Sequence, residues 1–139
     1  MPIVFSDLLD AFEFVSAGRE YENSARVNRE TGEIHWSSEM DPSLFPQPDD
    51  VEDDAKYVSV PTARDLDLGR PLVMRFAAER LDRHYDEIDD MFHRKGAYRR
   101  FRDLLLRVRA LDDWYAFEGE AKEKALREWC EKEGLVVEG

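Results

Sequence analysis

Between His93 and Arg109 the chain carries seven basic residues, Arg94, Lys95, Arg99, Arg100, Arg102, Arg107 and Arg109, and a single acid, Asp103. In the segment Arg94-Lys95-Gly96-Ala97-Tyr98-Arg99-Arg100 the glycine opens a helix, and guanidinium groups follow within one turn. Unpaired amides at a helix start, the helix dipole and forked donors together make anion-binding chemistry. Arg102 extends the set, and the Tyr98 ring offers a surface on which a base stacks. Arg99 and Arg100 project about 100° apart, so they cannot both face one ligand fully. The expectation is that Lys95 and Arg99 face outward, with Arg100 partly committed to an acid. The same residues admit a bland reading, in which they pair with surplus acids on neighbouring helices.

Other reactive residue types form weaker constellations. Residues 39–56 hold seven acids against Lys56 alone, together with Pro42, Pro46 and Pro48. A solubilising loop, an acidic lid over the basic helix and a mimic of nucleic-acid charge all fit that composition. Asp90 with His93, and His84 with Glu87, each place a carboxylate and an imidazole three apart on a helix. Neither pair has the further ligands that a metal site needs. Cys130 stands beside Trp129 at core spacing, which reads as an inert thiol. No nucleophile elbow, phosphate-binding loop or dinucleotide-binding glycine pattern occurs, so the sequence implies no cofactor and no catalytic residue.

The elements that must position these residues are legible. Leu8, Leu9, Phe12 and Val15 recur at helical spacing, with Ser6 as a cap, Asp7 and Asp10 in the first turn and Gly18 as a stop. Residues 25–28 and 33–36 alternate apolar and polar across Arg29-Glu30-Thr31-Gly32, a hairpin loop whose glycine supplies positive φ. Its register pairs Val27 with Ile34 and Ala25 with Trp36, leaving Arg26, Glu33 and His35 on the outside. A third strand, Tyr57-Val58-Ser59-Val60, ends at Pro61.

Four further helical stretches follow. The first opens at Pro71, the second holds Tyr85, Ile88, Met91 and Phe92, and the third runs from about Ala97 to Arg109. The last opens at Asp112-Asp113 and stops at Gly134. Trp114, Phe117 and Trp129 are expected in the core against the first helix and the sheet, with Tyr115 off that face. The expected fold is α+β: a small antiparallel sheet of about three strands, a hairpin near 24–38 plus a strand near 57–60, packed by four to five helices. The 139 residues are read as a single domain, with a mobile acidic loop at about 39–56.

Composition narrows the class of protein. The net charge is −12, from 20 basic and 32 acidic residues, which argues against bulk binding to DNA or an anionic membrane. One cysteine excludes an intrachain disulfide and suits a reducing compartment. No apolar run approaches a membrane span, and the first residues lack a basic leader, so the expected location is cytoplasmic.

Three blocks also resemble a bacterial group, uncharacterised protein family 0158. They are Asn28-Arg29-Glu30-Thr31-Gly32-Glu33-Ile34, Lys95-Gly96-Ala97-Tyr98-Arg99-Arg100-Phe101-Arg102-Asp103, and Trp114-Tyr115-Ala116-Phe117 followed by Glu128-Trp129-Cys130-Glu131. The resemblance spans nearly the whole chain and is least at the acidic loop. It implies a bacterial single-domain α+β protein and carries no activity to transfer. The residues themselves point to a non-enzymatic binding or adaptor module. Its basic face (Arg94, Lys95, Gly96, Tyr98, Arg99, Arg100, Arg102) would take a protein or a phosphate-bearing molecule. A nucleic-acid-associated protein using the same face is the alternative, and an enzyme with an unrecognised site stands third.

Overall fold

The computed structural model describes residues 2–17, 22–39 and 46–139. The fold is α+β, as the patterning predicts. Its strands are β1 (Ile3–Val4), β2 (Asn23–Asn28), β3 (Ile34–Ser38), β4 (Tyr57–Ser59) and β5 (Val137–Glu138). Its helices are α1 (Phe5–Ser16), α2 (Arg70–Arg80), α3 (Tyr85–Met91), α4 (Ala97–Arg107) and α5 (Leu111–Lys132). A short 3-10 turn, Asp82–His84, leads into α3. The residues group into two compact units: 1–66 with 125–139, and 67–124.

In the first unit, β2 is the central strand of an antiparallel sheet ordered β3-β2-β4. Val27 pairs with Ile34 and Ala25 with Trp36, the register that the alternation requires. The turn closes because the Asn28 side-chain oxygen accepts the Glu30 and Thr31 amides at 2.9 and 3.0 Å. Gly32 takes φ 76°, which a side chain would resist. Ala25 and Val27 are buried, as are Leu8, Ala11, Phe12 and Val15 of α1. The Phe14 and Trp36 rings meet at 4.6 Å.

Ser6 does not cap α1. The helix starts at Phe5 because the backbone leaves β1 directly, and Val4 at the N-cap supplies no side-chain bond. Gly18, the expected stop, lies outside the described residues. The last turn of α1 is closed instead by the Asn23 side-chain amide, which donates to the Phe14 carbonyl at 3.1 Å. One pairing gave no pattern in the sequence: β1 and β5 lie parallel, with Ile3 opposite Val137.

The outer face of the hairpin is less open than the alternation suggests. Residues 40–45 of the acidic segment lie outside the described residues, but from Pro46 onward it is tied to the hairpin. Arg26 donates to the Val51 carbonyl at 2.9 Å and pairs with Glu52 at 3.3 Å. The Arg29 guanidinium bonds the Asp54 carbonyl and the Glu133 carboxylate. Tyr57 is buried, its ring edge-on to His35 and its hydroxyl on Asp50 at 3.1 Å. Burial first, and then the Asp50 carboxylate, push the Tyr57 phenol above its usual range. Only Glu33 of the three outward residues is fully exposed.

The second unit has its own core. Leu72, Val73, Phe76 and Ala77 of α2, Ile88 of α3, Phe101, Leu104 and Leu105 of α4, and Trp114 of α5 are buried together. Trp114 stands edge-on to Phe76 and Phe101, both at 5.2 Å. Trp114 and Phe117 therefore pack among helices rather than against α1 and the sheet. Trp129 is only partly buried, and Leu126 and Cys130 are the buried residues of that part of α5. The reason is helical phase: positions 126 and 130, four apart, share one stripe, and 129 falls beside it. Tyr115 is exposed at 49%, off the core face as expected.

Two helix ends use the same closing device. After α5, Gly134 at φ 71° lets the Leu135 amide reach the Cys130 carbonyl at 2.8 Å. After α4, the Ala110 amide reaches Leu105 at 2.8 Å, but the left-handed residue is Arg109, at φ 59°.

Candidate functional site

The basic block falls within the second unit, on the approach to α4 and along its outer face. Charge is partitioned along the chain: residues 67–124 contain thirteen acids and thirteen bases, so the whole surplus of −12 lies in the other unit. The basic helix therefore stands in an electrically balanced unit.

Gly96 is the N-cap of α4, with φ 74° and ψ 24°. No side chain caps the helix start, so the Ala97, Tyr98 and Arg99 amides have no partner among the described residues. A Cβ at Gly96 would meet nothing within 4 Å. Glycine is needed there for its dihedral angle and not for space.

The arginines divide into two groups. Arg94 pairs with Asp90 at 3.3 Å, one turn earlier. Arg107 pairs with Glu87 at 3.1 Å, and Arg70 with Asp89 at 3.0 Å. The His84 ring and then Arg107 hold the Glu87 carboxyl below its usual range. These contacts answer to the bland reading. Lys95, Arg99, Arg100 and Arg102 are all exposed, and none makes an ion pair within 4.0 Å among the described residues. Arg100 was expected to be partly committed to an acid; among the described residues it pairs with none, and it leaves α4 about a quarter-turn from the core face.

The geometry of α4 sorts the free cations. Phe101, Leu104 and Leu105 mark its buried side. Arg99, Arg102 and Leu106 lie on the opposite side at spacings of three and four. Leu106 is 54% exposed. The result is a stripe of two guanidinium groups and an apolar side chain, with Arg100 and Lys95 flanking it. Leu106 was missing from the sequence reading. Its signal was phase alone: in Leu104-Leu105-Leu106 one leucine must leave the buried face.

Tyr98 is 56% exposed. Its ring sits edge-on to Phe92 at 5.1 Å, and its hydroxyl lies 3.5 Å from where a Cβ on Gly69 would stand. Partial burial, with a contribution from Glu118, raises its phenol pKa. The ring is thus held in place while much of it faces solvent.

The histidine pairs form no metal shell. His84 Nδ1 lies 3.3 Å from Glu87, whereas His93 Nδ1 meets the Asp89 carbonyl at 2.8 Å and Asp90 is taken by Arg94. Among the described residues no group of three or more histidine, cysteine or acidic side chains is placed to hold a metal ion. Burial pushes the Cys130 thiol up to about 11, so it stays protonated near neutrality. Among the described residues no helix is long and apolar enough to cross a membrane.

Comparison of the chain with protein families, with curated proteins and with solved structures gave no match.

Proposed function

We propose that the protein is a non-enzymatic binding module whose α4 face takes an anionic partner, a protein surface or a phosphate-bearing molecule. One observation carries this reading. Acids are available within the same unit and engage Arg70, Arg94 and Arg107, yet Lys95, Arg99, Arg100 and Arg102 pair with no carboxylate among the described residues. Four solvated cations beside three unpartnered amides are what an anion site needs before its ligand arrives. Leu106 on the same stripe favours a macromolecular surface, since an inorganic anion gains nothing from an exposed leucine.

The test is a titration with sulfate, polyphosphate, an acidic peptide and a short single-stranded RNA, read as amide shifts around residues 95–102. Shifts confined there, and lost in Arg99→Glu/Arg102→Glu, are the expected result. The nucleic-acid reading, with Tyr98 stacking on a base, requires the RNA to bind best and to weaken steeply with salt. If no anion moves those amides at low salt, the exposed cations serve solubility and the reading is wrong.

A further inference from the structure

A cleft of about 340 Å³ lies in the first unit, lined by Asp7 and Asp10 of α1 and by Gly32, Glu33, Ile34 and Trp36 of the hairpin. We propose that this cleft and the open edge of β3 bind an extended, lysine- or arginine-bearing segment of a partner protein, added as a further strand beside β3.

The backbone supplies the first argument. β3 is an outer strand, paired only with β2 among the described residues. The Asn28 amide bonds the Glu33 carbonyl and the Glu39 amide bonds the Glu22 carbonyl, each at 2.8 Å. In an antiparallel ladder alternate residues bond inward, so Glu33, His35 and Ser37 face β2 while Ile34 and Trp36 turn their amides and carbonyls to the open side. The Trp36 carbonyl already accepts a donor there, the Gln47 side-chain amide at 2.6 Å. That bond shows that the edge is reachable, and it marks where the open stretch ends. Among the described residues, the Ile34 amide and carbonyl and the Trp36 amide have no partner and remain for an incoming strand.

Side chains supply the second argument. Ile34 and Trp36 lie on the same sheet face as Ala25 and Val27, the face against α1. Asp7 and Asp10 stand across the cleft on α1, exposed and without an ion pair among the described residues. Glu33 also lines the cleft, but its carboxylate turns to the other sheet face, 3.9 Å from His35, so Asp7 and Asp10 are the acids of this wall. Alternate residues of an added strand project to one side about 6.6–7 Å apart. Two cationic residues separated by one apolar residue would thus reach the acids along this wall. The charge of the unit, which carries the whole −12, selects the same class of partner.

The probe is an end-blocked octapeptide alternating lysine and valine, added at low salt to the isotope-labelled full chain. Its comparator alternates glutamate and valine. The expected result is that the largest amide shifts fall at Ile34 and Trp36 with the lysine peptide alone. Asp7→Asn/Asp10→Asn weakens binding several-fold, roughly the product of two exposed charge pairs of a few-fold each. Ile34→Pro removes an outward amide while leaving the β2 ladder whole, and abolishes the shifts. Should that variant fail to fold, the neutralised double variant decides alone. Equal binding of the glutamate peptide, unmoved Ile34 and Trp36 amides, or undiminished binding by the double variant would each overturn the proposal. So would shifts that follow the protein's own concentration, which would make a second copy the occupant. None of these outcomes depends on the α4 face.

Discussion

Arg109→Gly should stabilise the protein. Arg109 closes α4 in the left-handed region, φ 59°, where its Cβ crowds the backbone. The conformation is enforced, since the bond from the Ala110 amide to the Leu105 carbonyl requires the chain to reverse there. A non-glycine residue in this region costs about 1–2 kcal/mol. Glycine removes that cost, but its freer unfolded chain returns about 0.4–1 kcal/mol. The net gain is about 0.5–1 kcal/mol, or about 2–4 °C in Tm for a chain of this length. Arg109→Ala is the control, because it removes the same charge and keeps the crowded Cβ. Thermal and urea melts followed by circular dichroism read the difference. Arg109→Gly should exceed both the parent and Arg109→Ala, and the parent and Arg109→Ala should agree within about 0.5 kcal/mol. A glycine variant no more stable than the alanine variant would show that the left-handed turn costs nothing, and the reasoning would fail.

The two tryptophans of α5 should separate sharply. Trp114→Ala deletes a buried ring set among Phe76 and Phe101 and should cost about 3–5 kcal/mol in a urea titration. Trp129→Ala should cost about 1–2 kcal/mol because its ring is only partly removed from water. A larger loss at Trp129 than at Trp114 would contradict the packing described. Cys130 gives a pH test. Its thiol pKa rises from 9.0 to about 11 in the fold, so the native state holds that proton more tightly than the unfolded chain does. The associated stability is fully present below pH 9 and is lost as pH climbs toward 11, at about 1.4 kcal/mol per pH unit. The stability difference between the parent and Cys130→Ala should shrink over that window. A difference that stays flat would mean the thiol is solvated.

Local pattern carried most of the fold into the sequence. The hairpin was readable because alternation fixes which residues face each other and Asn28 and Gly32 fix the turn. The start of α2 was readable from Pro71 and the break before α4 from Gly96. What stayed hidden depends on residues far apart in the chain. Two-residue strands such as β1 and β5 have no period to detect. The docking of residues 50–57 on Arg26, His35 and Arg29 joins side chains to distant backbone carbonyls, which composition does not encode. The burial of Trp114 among helices, and not against the sheet, follows from a division into two units that neither length nor spacing announces. At the basic block, residue types and the glycine were legible, whereas the division between paired Arg94 and Arg107 and free Arg99 and Arg102 rests on where Asp90 and Glu87 come to lie. The acidic cleft was invisible because Asp7 and Ile34 meet only after the hairpin has packed on α1.

The pairing of Ile3 with Val137 has a consequence for the order of folding. The unit that contains it is built from two stretches, 1–66 and 125–139, whereas residues 67–124 form an uninterrupted unit. On the ribosome the uninterrupted stretch has all its core partners once Trp114 has emerged. The earlier-made sheet and α1 must wait for Leu126, Cys130 and β5, which emerge after residues 67–124. Closing so long a loop is slow, since its entropy is lost before the contacts at its ends form. During that interval the faces awaiting Leu126 and Cys130 stand uncovered. The surplus of acids in this unit then acts as a kinetic guard, keeping unfinished chains apart by mutual repulsion until β5 arrives.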